Sequence, residues 1–316
     1  MATSSLPRGL ILDLVTPLRQ NGDLDELGLG RLLNRVLPYV QGLFLAGPHG
    51  GEGERLDGTQ RAALLRKTIG LIQAEMPLFV WVTRPSPRST IETLRFLQRQ
   101  EANAGYTGPV FWVDTPLYYQ SNRGLPRYYH DLVPQFDRQW VLHNDPDFIR
   151  RLGRPLKRNN IRTAVLKEIC SIEDIQGLIF SGPMDRAHNY QKAVRAMKDF
   201  RIYDGEESRF LSHPSLSGVV SIGANLAPKE WHKVVDSTLN LGGSREEYPD
   251  RMQQIWETGR YVSSLMRLYQ RNPAPMIKKR LAEMRIIEGP TCTAEAGDLG
   301  PNAQELRRLM EQQGDE

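Results

Sequence analysis

GLILDLVTP at residues 9–17 and GLFLAG at 42–47 are short, almost wholly apolar runs rich in Leu, Ile and Val. Near-continuous hydrophobicity of this kind suits a strand covered on both faces. Further runs follow at LFVWVT (78–83), PVFWVD (109–114), QWVLHND (139–145), TAVLKEI (163–169), RIYDGE (201–206) and GVVSIGAN (218–225). Between them, LDELGLGRLLNRVLPYV, TQRAALLRKTIGLIQAE and TIETLRFLQRQEANAG place apolar residues every three or four positions, the period of an amphipathic helix. Strands alternating with helices in this way predict an α/β fold, a closed (β/α)8 TIM barrel, with a doubly wound open sheet as the competing arrangement. After the last run come EEYPDRMQQIWETGRYVSSLMRLYQ, PAPMIKKRLAEM and PNAQELRRLMEQQ, all helical in pattern. The predicted organisation is a barrel over 1–230 and a C-terminal helical extension over 231–316, packed on the barrel as one structural unit.

Composition narrows the function classes. The 316 residues are 40% hydrophobic and 25% charged, enough apolar material for one large core. The net charge of +4 comes from basic and acidic residues interleaved along the chain, without a basic block alternating with aromatics. A nucleic-acid partner is therefore not expected. The two cysteines, Cys170 and Cys292, fit no zinc or redox spacing, and the N-terminal stretch reads neither as a leader nor as a membrane span. The expectation is a cytoplasmic protein with no membrane partner.

In a barrel of this type the site lies at the C-terminal ends of the strands. Those ends carry GPHGGEGERL, DTPLYY, HNDP, LKEI, DGEE and SIGAN. Lys167 stands out: read as a strand, TAVLKEI puts it among apolar neighbours, where desolvation lowers an amine's pKa and frees it to attack a carbonyl. A lysine snorkelling at a strand end is the plain alternative. His49 and His143, with Glu52 and Asp145 close by in sequence, raise the thought of a metal. No HxH or HxxxH spacing supports it, so neither metal nor cofactor is expected.

Taken together, the motifs resemble the dihydrodipicolinate synthase / N-acetylneuraminate lyase family of class I, Schiff-base aldolases. LVTPL resembles the family's VTPF, GPHGGEG its GTTGEG loop, TPLYY its TPYY, HNDP its YNVP, and LKEI the IKEA that carries the imine lysine. YDGEES resembles SGDD, GVVSIGANLAP resembles GVISVTANVAP, and NPAPMIKKRLAEM resembles NPIPVKAALELLG. The matches run in family order over residues 9–310. The resemblance implies that Lys167 forms an imine with a 2-oxo acid such as pyruvate or a pyruvate-derived sugar acid, for lyase, aldolase or dehydratase chemistry. It implies proton movement by His143 and Tyr118, with Tyr119 as the neighbouring register. His49, Gly50, Gly51, Glu52, Gly205 and Val220 would hold the substrate, the loop amides taking its carboxylate at a helix start. It also implies a homodimer or homotetramer.

The departures are as informative. His143 stands where the family has its acid–base tyrosine, and His49 and Gly50 replace two threonines. Phe148 stands where dihydrodipicolinate synthases place an arginine, with Arg150 and Arg151 nearby. SGPMDRAHNYQKAVRAMKDF, including Arg186, His188 and Tyr190, makes the interval after LKEI long and suggests an extended loop over the mouth. The second reading is a catalytically altered pseudoenzyme or ligand-binding relative that keeps the barrel.

Overall fold

The computed structural model describes residues 5–72, 76–153, 158–239, 250–295 and 297–314. Its strands are β1 (Gly9–Asp13), β2 (Gly42–Leu45), β3 (Leu78–Trp81), β4 (Val110–Asp114), β5 (Gln139–Asn144), β6 (Ile175–Phe180), β7 (Arg201–Asp204) and β8 (Gly218–Ser221). Each pairs in parallel with the next and β8 pairs with β1, so the sheet closes into a barrel without an edge. The helices are α1 (Glu26–Val36), α2 (Gly58–Ile69), α3 (Pro87–Ala104), α4 (Leu125–Leu132), α5 (Pro146–Arg150) and α6 (Thr163–Ile169). They continue with α7 (Met184–Val194), α8 (Glu207–Ser212), α9 (Pro228–Leu239), α10 (Asp250–Tyr269), α11 (Pro273–Glu283) and α12 (Gly300–Gln313). Residues 246–249 of the helical pattern expected before α10 lie outside the described residues.

Local chemistry accounts for several boundaries. Asp57 caps α2 through a reciprocal box with Gln60, and Ser86 caps α3 with Pro87 in its first turn. Gly105 ends α3 at φ 66°, a left-handed backbone that glycine adopts without a steric penalty.

The sixth strand corrects the sequence expectation. TAVLKEI forms α6; Leu166 and Ile169 are its buried side, and Lys167 faces solvent. Seven residues of mixed pattern satisfy a period of two and a period of 3.6 equally well, and Ala, Leu, Lys and Glu favour helix. Strand six is IQGLIF, inside the interval expected to form a long loop. That interval is long because it holds a whole strand and α7.

The interior is filled from below. The Phe79 ring lies 5.2 Å from Phe111 and 5.9 Å from Tyr203. Strands β3 and β7 are not neighbours, so the second contact crosses the barrel. The Tyr203 hydroxyl donates to the Pro7 carbonyl and ties the entering chain to this floor. Outside the barrel, Arg209 donates to the Phe180 carbonyl at 2.5 Å, the Gly182 carbonyl at 2.7 Å and Asp204 Oδ1 at 2.6 Å, clamping the ends of β6 and β7 together. α9 packs on β1 and β8 and completes the outer ring, so residue 230 falls within a barrel helix. α10 packs beside α8, α9 and α12. No helix among the described residues is long and apolar enough to cross a membrane.

Candidate active site

A cavity of about 420 Å³ opens at the C-terminal mouth of the barrel. Asp13 of β1, Phe44 of β2, His143 of β5, Ile179 of β6 and Val220 of β8 line it. Gly205, Ser181, Glu206 and Glu207 follow from the strand ends, and Met266, Tyr269, Gln270 and Pro273 from α10 and the start of α11. The helical extension therefore builds one wall of the mouth.

The glycine-rich loop after β2 is folded tightly on itself. A Cβ on Gly51 would stand 2.4 Å from the Gly47 nitrogen, a contact only glycine avoids. Arg61, buried at the start of α2, donates to the carbonyls of Gly53 and, at 2.7 Å, Trp81, fixing the loop against β3. The Thr16 hydroxyl donates to the Gly51 carbonyl at 2.8 Å. The loop does not itself open a helix, because α2 begins only at Gly58 under its own Asp57 cap.

His49 leaves this loop half-buried, with Nε2 2.6 Å from Asp145 Oδ2. Asp145 is the N-cap of α5: its Oδ1 accepts from the amides of Asp147 at 2.9 Å and Phe148 at 2.8 Å. The helix start thus aims the carboxylate, and the carboxylate aims the imidazole. Burial works to raise Asp145, but the His49 hydrogen bond and charge outweigh it and hold the carboxyl well below its ordinary range. Burial pulls His49 down, and the bond to Asp145 and its charge raise it on balance.

His143 sits in the opposite condition. Burial pushes it down to about 4, so the ring is neutral at neutral pH. Its Nδ1 lies 2.8 Å from the Thr115 hydroxyl, which accepts from Trp81 Nε1 at 2.8 Å. If that hydroxyl, already accepting from Trp81, gives its own proton to Nδ1, the ring proton stays on Nε2. His143 is then a neutral N–H donor at the mouth.

Two further carboxyls were not among the expected site residues, although Glu207 lies in the quoted DGEE segment. Asp13 is 5% exposed and pushed up to about 6, chiefly by burial, with the Gly50 amide opposing. Its Oδ2 accepts from Gly50 N–H at 2.8 Å, while Oδ1 has no hydrogen-bond partner. Glu207 accepts from Ser221 at 2.6 Å, Gly223 N–H at 2.7 Å and the Tyr269 hydroxyl at 2.6 Å. Burial raises Glu207 despite these donors. An aspartate inside the apolar run GLILDLV was the available signal for Asp13; Tyr269 had none.

The remaining expected residues divide clearly. His49, His143, Gly205 and Val220 line the pocket, and Gly50 reaches it through Asp13. Lys167 does not: it is exposed on α6, outside the barrel, and no lysine among the described residues lines the cavity. Ile179 is the β6 side chain that reaches the mouth. Tyr118 donates to Glu54 at 2.9 Å and stacks on Phe148, and Tyr119 donates to Asp114 at 2.5 Å; neither lines the cavity. Glu52 turns away to an ion pair with the fully buried Lys278 and accepts from Thr293 N–H at 2.8 Å. Gly51 packs within the loop. Arg150 pairs with Asp147, Arg151 lies over the Phe148 ring, and Tyr190 donates to the Ile161 carbonyl from α7.

A parallel barrel with converging acid–base groups at its C-terminal mouth defines a TIM-barrel enzyme scaffold. A sequence model of the dihydrodipicolinate synthetase family matches residues 6–296, and the chain belongs to that family of class I lyases. The 4-hydroxy-tetrahydrodipicolinate synthase of Aromatoleum aromaticum is 26% identical over 286 residues, 89% of each chain. That of Thermotoga neapolitana is 27% identical over 289 residues, covering 89% of this chain and 90% of its own. Among solved structures, a monomeric dihydrodipicolinate synthase variant superposes with a TM-score of 0.79 at 23% identity, over 97% of both chains. The 4-hydroxy-tetrahydrodipicolinate synthase of Methylacidiphilum fumariolicum gives 0.78 at 20% identity, over 98% of this chain and 97% of its own.

Proposed function

We propose that this family member is a carbon–oxygen lyase that works by proton transfer from the His49–Asp145 pair, without an imine. The observation that carries the reading is an imidazole oriented by a buried carboxylate on a cavity that no lysine among the described residues lines. An imine lysine on strand six would have to stand at Ile179 to reach the mouth. The amide expected to hold a 2-oxo acid's carboxylate, Gly50, is bonded to Asp13 instead.

In this mechanism neutral His49 takes a proton from the carbon next to a substrate carbonyl. The C–H pair becomes the enolate double bond, and His143 Nε2–H bonds the developing oxyanion. The enolate then expels the β-hydroxyl, and the His49 imidazolium gives it the same proton, releasing water. Asp145 stabilises the imidazolium and keeps its second nitrogen in place. A cytoplasmic homodimer or homotetramer remains part of this reading by family resemblance.

The test has two arms. Borohydride with pyruvate should leave no reduced adduct on any lysine peptide. 4-Hydroxy-2-butanone in D2O should exchange its α-protons with the wild-type chain and not with His49→Gln. A pyruvyl adduct on a lysine, or exchange that survives His49→Gln, overturns the proposal.

A further inference from the structure

We propose that a groove between α4 and α6 is an anion site for a ligand carrying a chain of two or more phosphates. The groove holds about 610 Å³. Arg123 and Arg127 line it from the start of α4, and Arg158 and Arg162 from the chain entering α6. The two helices pack side by side, so the arginines come from two elements that face each other. This groove and the mouth cavity share no lining residue, so what binds here is independent of the reaction at the mouth.

Buried bonds hold the groove in shape from behind. Asn122, 6% exposed, donates from Nδ2 to the Asn160 carbonyl at 3.0 Å, and its Oδ1 accepts from Arg162 N–H at 2.7 Å. One buried side chain thus pins the segment carrying Arg158 and Arg162 to the turn carrying Arg123. Asn144, at the end of β5, takes the same segment from the inside. Its Oδ1 accepts from Ile161 N–H at 2.7 Å, and its Nδ2 donates to the Asn159 carbonyl at 3.2 Å. All of these bonds engage the backbone of 159–162, and the four arginine side chains stay exposed along the groove.

Four like charges repel one another, and the described lining holds one carboxylate, Glu168. Among the described residues, Arg123, Arg158 and Arg162 form no ion pair, and Arg127 reaches Asp131 at 3.9 Å with both side chains largely exposed. The stretch next to Arg158 in sequence, residues 154–157, is Arg-Pro-Leu-Lys and contains no acid. Ser121 adds a hydroxyl at the start of the 3₁₀ turn Asn122–Gly124, which no side chain caps. A guanidinium fork matches phosphate oxygens two at a time. A single phosphate would engage one or two of these forks, whereas a phosphate chain brings charge to both walls. No aromatic side chain lines the groove among the described residues, so a nucleobase would find no ring to stack on.

Isothermal titration of the full chain compares tripolyphosphate, pyrophosphate, orthophosphate, citrate and ATP. It is run without divalent metal at about 0.15 M salt, where long-range fields are screened. Tripolyphosphate should bind at least about tenfold more tightly than orthophosphate, as added charge-assisted bonds imply, with pyrophosphate between them. ATP equal to tripolyphosphate makes the phosphate chain the whole of recognition; ATP tighter still identifies a nucleotide as its source. Arg123→Gln combined with Arg162→Gln, one from each wall, should weaken tripolyphosphate binding at least about tenfold. Arg66→Gln combined with Arg99→Gln removes the same charge from exposed positions outside the groove and should leave it unchanged. Tripolyphosphate no tighter than orthophosphate, citrate as tight as tripolyphosphate, or equal losses in the two double variants overturns the proposal. The Arg162 substitution keeps the backbone N–H that Asn122 holds. If that double variant nevertheless fails to fold, Arg158→Gln alone decides: weakened binding supports the site, and unchanged binding overturns it.

Discussion

Replacing Asp13 by Asn should make the folded chain more stable as pH rises. The carboxyl is displaced from an ordinary 3.8 to about 6, a difference of roughly two pH units. At 1.36 kcal/mol per unit this amounts to about 3 kcal/mol. The sign follows from proton linkage. The fold prefers the protonated form, so the contribution of Asp13 is fully present below pH 3.8 and is lost as pH rises through about 6. At neutral pH the wild type therefore carries a buried charge that its glycine loop only partly solvates. Asparagine keeps the shape and its amide oxygen still accepts from Gly50. Any cost of its NH2 group against Gly47 and Phe44 is independent of pH and cancels when the pH profiles are compared. His49 and Glu207 titrate in both chains. Urea denaturation of wild type and variant between about pH 4 and 8 should show the variant gaining about 3 kcal/mol relative to wild type. A stability difference that stays constant across that range would refute the placement of an uncompensated carboxylate at the mouth.

Other outcomes follow from the same geometry. His49→Gln should lower turnover of the lyase reaction by about 10²- to 10⁴-fold, the usual contribution of a positioned acid–base group. Asp145→Asn should move the pH–rate inflection downward, since the wild-type imidazole is raised above 6.5 by that carboxylate. Lys167→Ala should change neither turnover nor stability by more than about 0.5 kcal/mol, as befits a solvent-facing helix residue; a loss of activity would return the lysine to the chemistry. Glu52→Gln should cost about 3–5 kcal/mol in urea denaturation, because it leaves the fully buried Lys278 charge without its partner. A neutral result would mean that the Thr291 carbonyl alone, 2.9 Å from Nζ, suffices.

The barrel was legible because a strand buried on both faces has to be apolar throughout, and seven of the eight expected runs contain a strand. The missed strand shows the limit of that rule. IQGLIF is as apolar as its neighbours, but Gly177 interrupts it, and TAVLKEI upstream offered a motif with a chemical meaning. What separates the two is which side chains meet the sheets on either side, a property of tertiary packing. His49 and His143 drew notice as departures within two family-like motifs, and both line the cavity. The opposite directions of their pKa shifts could not be read, since they depend on Asp145 bonding one ring and a hydroxyl bonding the other. Tyr118 and Glu52 were expected at the site by motif, and their side chains turn outward to Glu54 and Lys278 instead.

The apolar Ile179 and the charged Asp13 belong together physically. An imine lysine must present a neutral amine, and burial in an apolar pocket favours that form. A carboxylate in the same mouth does the reverse: it holds the amine as ammonium and withdraws the lone pair. Ile179→Lys alone should therefore give no borohydride-reducible adduct with pyruvate, because the new amine would pair with Asp13 in the cavity both residues line. Combined with Asp13→Asn, which also removes a negative charge opposing the pyruvate carboxylate, the same substitution should yield an adduct at residue 179. Peptide mass spectrometry after reduction reads both variants. An adduct in the single variant would show that Asp13 does not govern the charge of an amine at this mouth. The incompatibility between this carboxylate and imine chemistry would then fall.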